Sequence, residues 1–174
     1  MKPESSKPIY ADETLDDLII RGYKLIQPRQ GYRFSIDAVL LAHFADLKKV
    51  KQVVDLGCGN GVIPLLLSAR SDAISITGVE IQETMVERAR RSVEYNRLQK
   101  QIKIIPGDLM EIEKYLPAAS TDLVISNPPF WSRGEGHLSK NPEVACARHE
   151  IALNLKGLIR AAAYLLTPGG SFCL

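Results

Sequence analysis

Residues 53–63 read VVDLGCGNGVI, and the change of character along that stretch decides the fold. Val53, Val54 and Leu56 form a short apolar run with β-branched members, as a strand buried in a parallel sheet does. The run breaks into Gly57, Gly59 and Gly61, and residues 63–67 (IPLLL) start a helical pattern. Pro64 falls inside the first turn, where a missing N–H is harmless. Strand, glycine turn and helix in that order make a nucleotide-binding loop: glycines admit the ligand to the backbone, and the helix start offers free N–H groups. Taken alone, the loop also fits an ordinary strand-to-helix turn.

The glycine spacing narrows the ligand. It is Gly-x-Gly-x-Gly, and Val62 holds the position where a dinucleotide fold wants a small residue. Asp55, at the strand end, repels a pyrophosphate but attracts an ammonium or sulfonium group. S-adenosylmethionine carries both cations and no phosphate, so the charge pattern favours it over NAD.

Downstream, residues 74–80 (ISITGVE) read as a second strand ending in Glu80. The interval from the first strand suits an acid that binds ribose hydroxyls, since a carboxylate accepts two such hydrogen bonds. Residues 83–97 read as a helix on which Arg88, Arg90, Arg91 and Arg97 are expected to be mostly solvated. A third strand, 102–105, leads to Gly107-Asp108-Leu109. There Asp108 suits an adenine amino group and the Leu109 backbone the ring edge. A short helix covers 109–115. The fourth strand, 122–126, opens directly into Asn127-Pro128-Pro129-Phe130. An amphipathic helix at 154–166 is expected to end at Thr167-Pro168-Gly169-Gly170, and residues 171–174 to begin a fifth strand. The pattern βαβαβαβαβ implies an α/β fold with a doubly wound, Rossmann-like parallel sheet. We expect the chain to be truncated at that fifth strand, with further C-terminal strands absent.

Upstream, residues 1–14 read as a loose polar arm. Residues 18–26 and 32–34, joined by a turn at 27–31, read as a hairpin at the front of the domain. Its cations Arg21, Lys24, Arg29 and Arg33 fit a solvated face as well as an RNA contact. Ser35 is placed to cap a helix over 36–46, with Asp37 in its first turn. His43 reads as a packed or surface side chain. The organisation expected is an N-terminal arm, hairpin and helix over 1–49, packed on a core domain over 50–174.

Composition is consistent with this. The chain has 174 residues, 45% hydrophobic and 24% charged, with a formal net charge of +2. That is one globular domain's worth of core, with too little charge to identify a nucleic-acid partner. No apolar stretch approaches transmembrane length, and the first ten residues lack a signal-peptide core. Cys58, Cys146 and Cys173 are widely spaced, which argues against a zinc site or disulfide framework and fits a reducing cytoplasm. A metal is not expected. The oligomeric state stays open, with a monomer as the default.

The loops after four successive strands thus carry compatible chemistry, and together they resemble a class I S-adenosylmethionine-dependent methyltransferase. DLGCGNG resembles its first motif, VEI (with Ile81 beside Glu80) its ribose-binding segment, GDL its adenine-contacting loop and NPPF its catalytic loop. The flanks, RGYKLIQPRQGYRFSIDAVLLAHFA and KNPEVACARHE, resemble the bacterial tRNA adenine-N6 methyltransferase family, which acts on an anticodon-loop adenine of a valine tRNA. That resemblance implies a tRNA partner, and that Phe34 and Asp37 help cover the cofactor. It implies no individual role for Arg148, His149 or Glu150.

An aromatic amino group is a poor nucleophile because its lone pair is delocalised. Two acceptors on its N–H bonds free that pair, and the Asn127 side-chain oxygen and Pro128 carbonyl are the natural two. Pro128 and Pro129 stiffen the turn, and Phe130 suits stacking on the base. Trp131 and Arg133 extend this surface or pack on their own loop; His137 has no role. Phe130 stands where many adenine enzymes have tyrosine, and NPPF also occurs in guanine-N2 ribosomal RNA methyltransferases. Glutamine methylation of a protein needs the same two acceptors. These alternatives remain open at the level of sequence, as does a module that binds S-adenosylmethionine and RNA without chemistry.

Overall fold

The computed structural model describes residues 9–128 and 155–174; the expectations for Pro129, Phe130, Trp131, Arg133, His137 and residues 148–150 lie outside them. The elements run β1 (Glu13–Asp17), β2 (Lys24–Pro28), α1 (Ile36–Phe44), β3 (Gln52–Leu56), α2 (Val62–Arg70), β4 (Ser75–Glu80), α3 (Glu83–Tyr95) and β5 (Ile102–Pro106). A 3₁₀ helix (Leu109–Lys114), β6 (Thr121–Ile125), α4 (Leu155–Leu165) and β7 (Leu166–Cys173) follow.

The main sheet has the order β5-β4-β3-β6-β7, and every neighbouring pair is parallel. Strand order reverses at β3, whose partners are β4 on one side and β6 on the other. Both faces are buried. Val53, Ile76, Ile104, Leu123 and Ile125 pack with α1, α2 and α3, while Val54, Leu56, Val79 and Val124 pack with the 3₁₀ helix and α4. The alternation along β3 and β6 is what a two-faced strand requires. Helix α2 is buried from Val62 through Ala69, which explains its nearly unbroken apolar sequence.

Four sequence expectations need correction. Residues 9–14 are not loose: Glu13 starts β1 and is 2% exposed. The hairpin is β1–β2, shifted from the expected strands, with its turn at 18–23 and Gln27-Pro28 inside a strand. Gly22, at φ +70°, and the Asp17 carboxylate, which accepts the Ile19 N–H at 2.8 Å, shape that turn. Arg88 and Arg91 are buried at 8% and 3% exposure, not solvated. Finally, α4 passes directly into β7. Leu166 pairs with Thr121 and Ser171 with Leu123, so residues 167–170 loop out within the strand instead of preceding it.

The buried arginines belong to a cluster that docks the hairpin on α3. Glu13 accepts from both Arg91 terminal nitrogens, at 2.7 and 2.5 Å, from Arg88 Nε at 3.2 Å and from the Tyr10 N–H at 3.0 Å. The Tyr10 ring lies over the Arg91 guanidinium at 4.3 Å. Burial alone pushes the Glu13 carboxyl up; the hydrogen bonds from Arg91, Tyr10 and Arg88 outweigh it and hold the group below the usual carboxylate range. One helical turn on, Ser92 Oγ accepts the Ile26 N–H at 3.0 Å, and the Asn96 amide brackets Lys24, accepting its N–H at 2.8 Å and donating to its carbonyl at 2.6 Å. Ser92 and Asn96 therefore satisfy backbone groups of β2 as a neighbouring strand would, while Arg88 holds Glu13 of β1.

Candidate functional site

At the carboxyl ends of the central strands, the loops after β3, β4, β5 and β6 face the crevice opened by the reversal of strand order, where parallel α/β sheets bind ligands. The glycine loop after β3 is built by backbone hydrogen bonds. Gly57 and Cys58 both donate to the Val79 carbonyl, at 2.8 and 3.1 Å, and Gly61 donates to Cys58 at 2.9 Å. Gly61 has φ +87°, and a Cβ on it would stand 3.2 Å from that of Ala89, so this position needs glycine twice over. Gly78 supports the loop from below: a Cβ there would lie 2.7 Å from Cys58 Sγ.

Two carboxyl groups sit under this loop on one face of the sheet. Asp55, 0% exposed, has no hydrogen-bond partner on either oxygen. Burial raises its carboxyl well above the usual range, and the neighbouring Glu80 adds to the shift. Glu80 is 6% exposed; its oxygens accept the Gly59 N–H and the Gln82 N–H, each at 2.9 Å. Its carboxyl is also raised, because burial exceeds the effect of the bonds from Gln82, Gly59 and Ile81. Between the glycines, Asn60 is 5% exposed and its Oδ1 lacks a partner. Two buried acids this close gain from a nearby positive charge, which S-adenosylmethionine carries.

The other candidates fall around that floor. Asp108 is half-buried and caps the 3₁₀ helix by accepting the Met110 N–H at 2.8 Å, leaving its other oxygen free of that duty. Leu109 is buried in the core on the far face of the sheet. Ile81 is 44% exposed. Phe34 is half-buried against the core, and its N–H donates to Gln27 Oε1 at 3.1 Å. Asp37 is exposed and accepts the Ser35 hydroxyl at 2.9 Å, so Ser35 starts α1 without a side-chain cap. Asn127 is half-buried and Pro128 buried, immediately after β6.

Sequence reasoning missed Ser126. Its hydroxyl donates to the Leu56 carbonyl at 2.6 Å and its N–H to the Cys173 carbonyl at 3.0 Å. This stitches the end of β6 to the end of β3, one residue before Asn127 on one side and one residue before Gly57 on the other. A lone serine beside a motif has no periodic signal that would have revealed it. Of the hairpin cations, Arg21 pairs with Asp72, Lys24 with Asp17 and Arg33 with Asp16, while Arg29 donates to the Ala11 carbonyl.

A family profile described as the methyltransferase small domain matches residues 35–174, from the residue that precedes α1 through β7. The chain belongs to that family. Among curated proteins it is similar to the tRNA1(Val) (adenine(37)-N6)-methyltransferase of Aeromonas salmonicida, 32% identical over 84% of this chain and 60% of the relative. The proteins of the same name from Escherichia fergusonii and Proteus mirabilis are 30% and 32% identical, over 84% and 82% of this chain and 59% and 56% of theirs. The chain thus spans about 60% of the length of the first of these relatives. Among solved structures, an S-adenosyl-L-methionine-dependent methyltransferase candidate from Methanococcus maripaludis superposes with a TM-score of 0.57, at 19% identity over 79% of this chain and 53% of that one. The [4+2]-cyclase SpnF follows with 0.54 and 22%, over 78% and 42%. Such likenesses show the fold alone, and one of them performs a cyclisation.

Proposed function

We propose that this protein transfers a methyl group from S-adenosylmethionine to the exocyclic N6 of an adenine in tRNA, with the anticodon loop of a valine tRNA as the substrate its relatives' names suggest. The observation that carries the reading is the Ser126–Leu56 hydrogen bond of 2.6 Å, which ties the Asn127 loop to the glycine loop. A methyl donor over the glycines and an acceptor at Asn127 then belong to one crevice. When bound, the cofactor supplies an electrophilic methyl group carried on sulfonium.

The chain's own residues do the rest. Asp55 balances the cofactor's positive charge, and Glu80 accepts hydroxyl hydrogen bonds while its backbone contacts hold it in place. Ile81 stands beside Glu80 at the ribose, Asp108 and the Leu109 backbone border the adenine, and Phe34 and Asp37 help cover the cofactor. The Asn127 side-chain oxygen and the Pro128 carbonyl accept the two amino N–H bonds of the target base, which pushes its nitrogen lone pair out of the ring. Pro129 stiffens the loop and Phe130 stacks on the base. Positioning, more than proton transfer, lowers the barrier, since the alkylated nitrogen loses its proton readily to water. A target base in an anticodon loop is cheaply splayed out of its stack. The protein works in the cytoplasm, where tRNA is modified.

Asn127→Ala is expected to abolish methyl transfer from labelled S-adenosylmethionine to tRNA while leaving cofactor affinity within a few fold. Retained turnover would exclude the acceptor mechanism. Nuclease digestion of the labelled product separates RNA from protein as substrate.

A further inference from the structure

We propose that Gln27 is a positioning residue that sets affinity for the methyl donor by fixing the covering segment 32–34 against the glycine loop. This rests on the reading of that loop and of Phe34 as the cofactor site. Gln27 lies in β2 and is 1% exposed. A primary amide so buried is tolerated only with both ends engaged. Its Nε2 donates to Asp16 Oδ2 and its Oε1 accepts the Phe34 N–H at 3.1 Å.

The same Asp16 oxygen takes the Arg33 guanidinium, whose other terminal nitrogen donates to Thr14 Oγ1 and the Pro28 carbonyl, both at 3.0 Å. Residues 33 and 34 are thereby locked to the hairpin. Two residues before Phe34, the Tyr32 carbonyl accepts Asn60 Nδ2 at 3.4 Å, and Asn60 stands between Gly59 and Gly61. Hydrogen bonds at both ends of the 32–34 backbone thus connect the hairpin, through Gln27, with the glycine loop, through Asn60. The hairpin is itself bolted to α3 by the Glu13 cluster, so it is a rigid anchor. The amide presents an acceptor to a backbone N–H and a donor to a carboxylate from two separate atoms of one uncharged side chain.

The test compares the wild-type chain with Gln27→Met, which keeps the shape and loses both bonds, and Gln27→Glu, which keeps the acceptor toward Phe34. The added carboxyl faces that of Asp16 at hydrogen-bond distance, so the two are expected to share one proton, which keeps a donor toward Asp16 as well. Calorimetric titration with S-adenosylmethionine gives the affinities, and NMR amide exchange at Phe34 reports the bond directly. Gln27→Met is expected to bind roughly tenfold more weakly, with faster Phe34 exchange and unchanged circular dichroism. Gln27→Glu is expected to stay within about threefold of wild type with Phe34 protected. Gln27→Met equal to wild type, or a folded Gln27→Glu as weak as Gln27→Met, overturns the role of Gln27. Should Gln27→Met not fold, the Gln27→Glu result decides by the same criterion: a folded chain tenfold weaker than wild type overturns it. A wild-type chain that does not bind S-adenosylmethionine overturns the reading of the site instead.

Discussion

Asp55 carries two oxygens with no exposure and no hydrogen-bond partner, under a loop that also buries Glu80. Its carboxyl is held well above the usual range, because burial and the neighbouring Glu80 disfavour the ionised form. The sign follows from linkage: such a group contributes its full stability below the unfolded carboxylate value, and that contribution is lost as pH rises through the folded value. Cofactor affinity runs the opposite way, because a cation stabilises the ionised form and its binding expels a proton. Calorimetry between pH 5 and 8 is expected to show affinity rising with pH, and Asp55→Asn to bind at least about tenfold more weakly with a shallower profile, because the raised Glu80 carboxyl remains. The apo Asp55→Asn chain is expected to melt at least as high as wild type at pH 8; a pH-independent wild-type affinity would contradict this role. Gly61 makes a second residue-level case. Alanine there meets both the positive φ and Ala89, so Gly61→Ala should lower stability by at least about 1 kcal/mol in urea unfolding. At this scale, placement near a strand end was legible: Asp55 stands one residue before the end of β3, Glu80 ends β4, and both are buried. Ser126, Gln27 and Asn60 were not, because what distinguishes them is a partner distant in sequence.

Elements with one clear period were readable to within a residue or two. Strands β3 to β6 and helices α3 and α4 fall where the apolar pattern put them, since burial on fixed faces leaves little freedom of register. The hairpin was misplaced because its anchor is polar. Arg88 and Arg91 read as solvated until Glu13 of β1 is found between them, and Ser92 and Asn96 on the same helix hold β2. A long-range ion cluster leaves no trace in local periodicity. The loop-out at 167–170 was misread for a related reason: Pro168-Gly169-Gly170 has the composition of a turn between elements, yet the turn is absorbed within β7. Gly170 fits there because a Cβ would stand 3.0 Å from the Thr167 carbonyl oxygen. The Glu13 cluster yields a stability prediction. Glu13→Gln leaves the buried Arg91 with only the partly exposed Glu87, 2.7 Å away, as countercharge and should cost about 3 kcal/mol at pH 7 by urea unfolding. Because Glu13 is held below the usual range, its contribution is present above the unfolded value and fades as pH falls through the folded one. The gap between wild type and Glu13→Gln should therefore narrow below about pH 4. A loss under about 1 kcal/mol would mean the cluster is no more than a surface ion pair.

For the whole molecule, the order β5-β4-β3-β6-β7 brings four loops distant in sequence to one crevice, and no single loop would identify the chemistry. The glycine loop and two buried acids describe a place for a cationic nucleotide-like ligand. Asn127 and Pro128 are stitched to that place through Ser126, and the proposed reaction uses them to hold an amino nitrogen. Membership of the methyltransferase small domain family joins the two. Among the described residues no helix is long and apolar enough to cross a membrane, and no group of three or more histidine, cysteine or acidic side chains is placed to hold a metal. The most direct test of the central claim is nucleoside mass spectrometry of tRNA from cells with and without this gene. The expected result is loss of N6-methyladenosine from tRNA in the deletion and its return with the wild-type gene but not with Asn127→Ala. An unchanged N6-methyladenosine content would contradict the account.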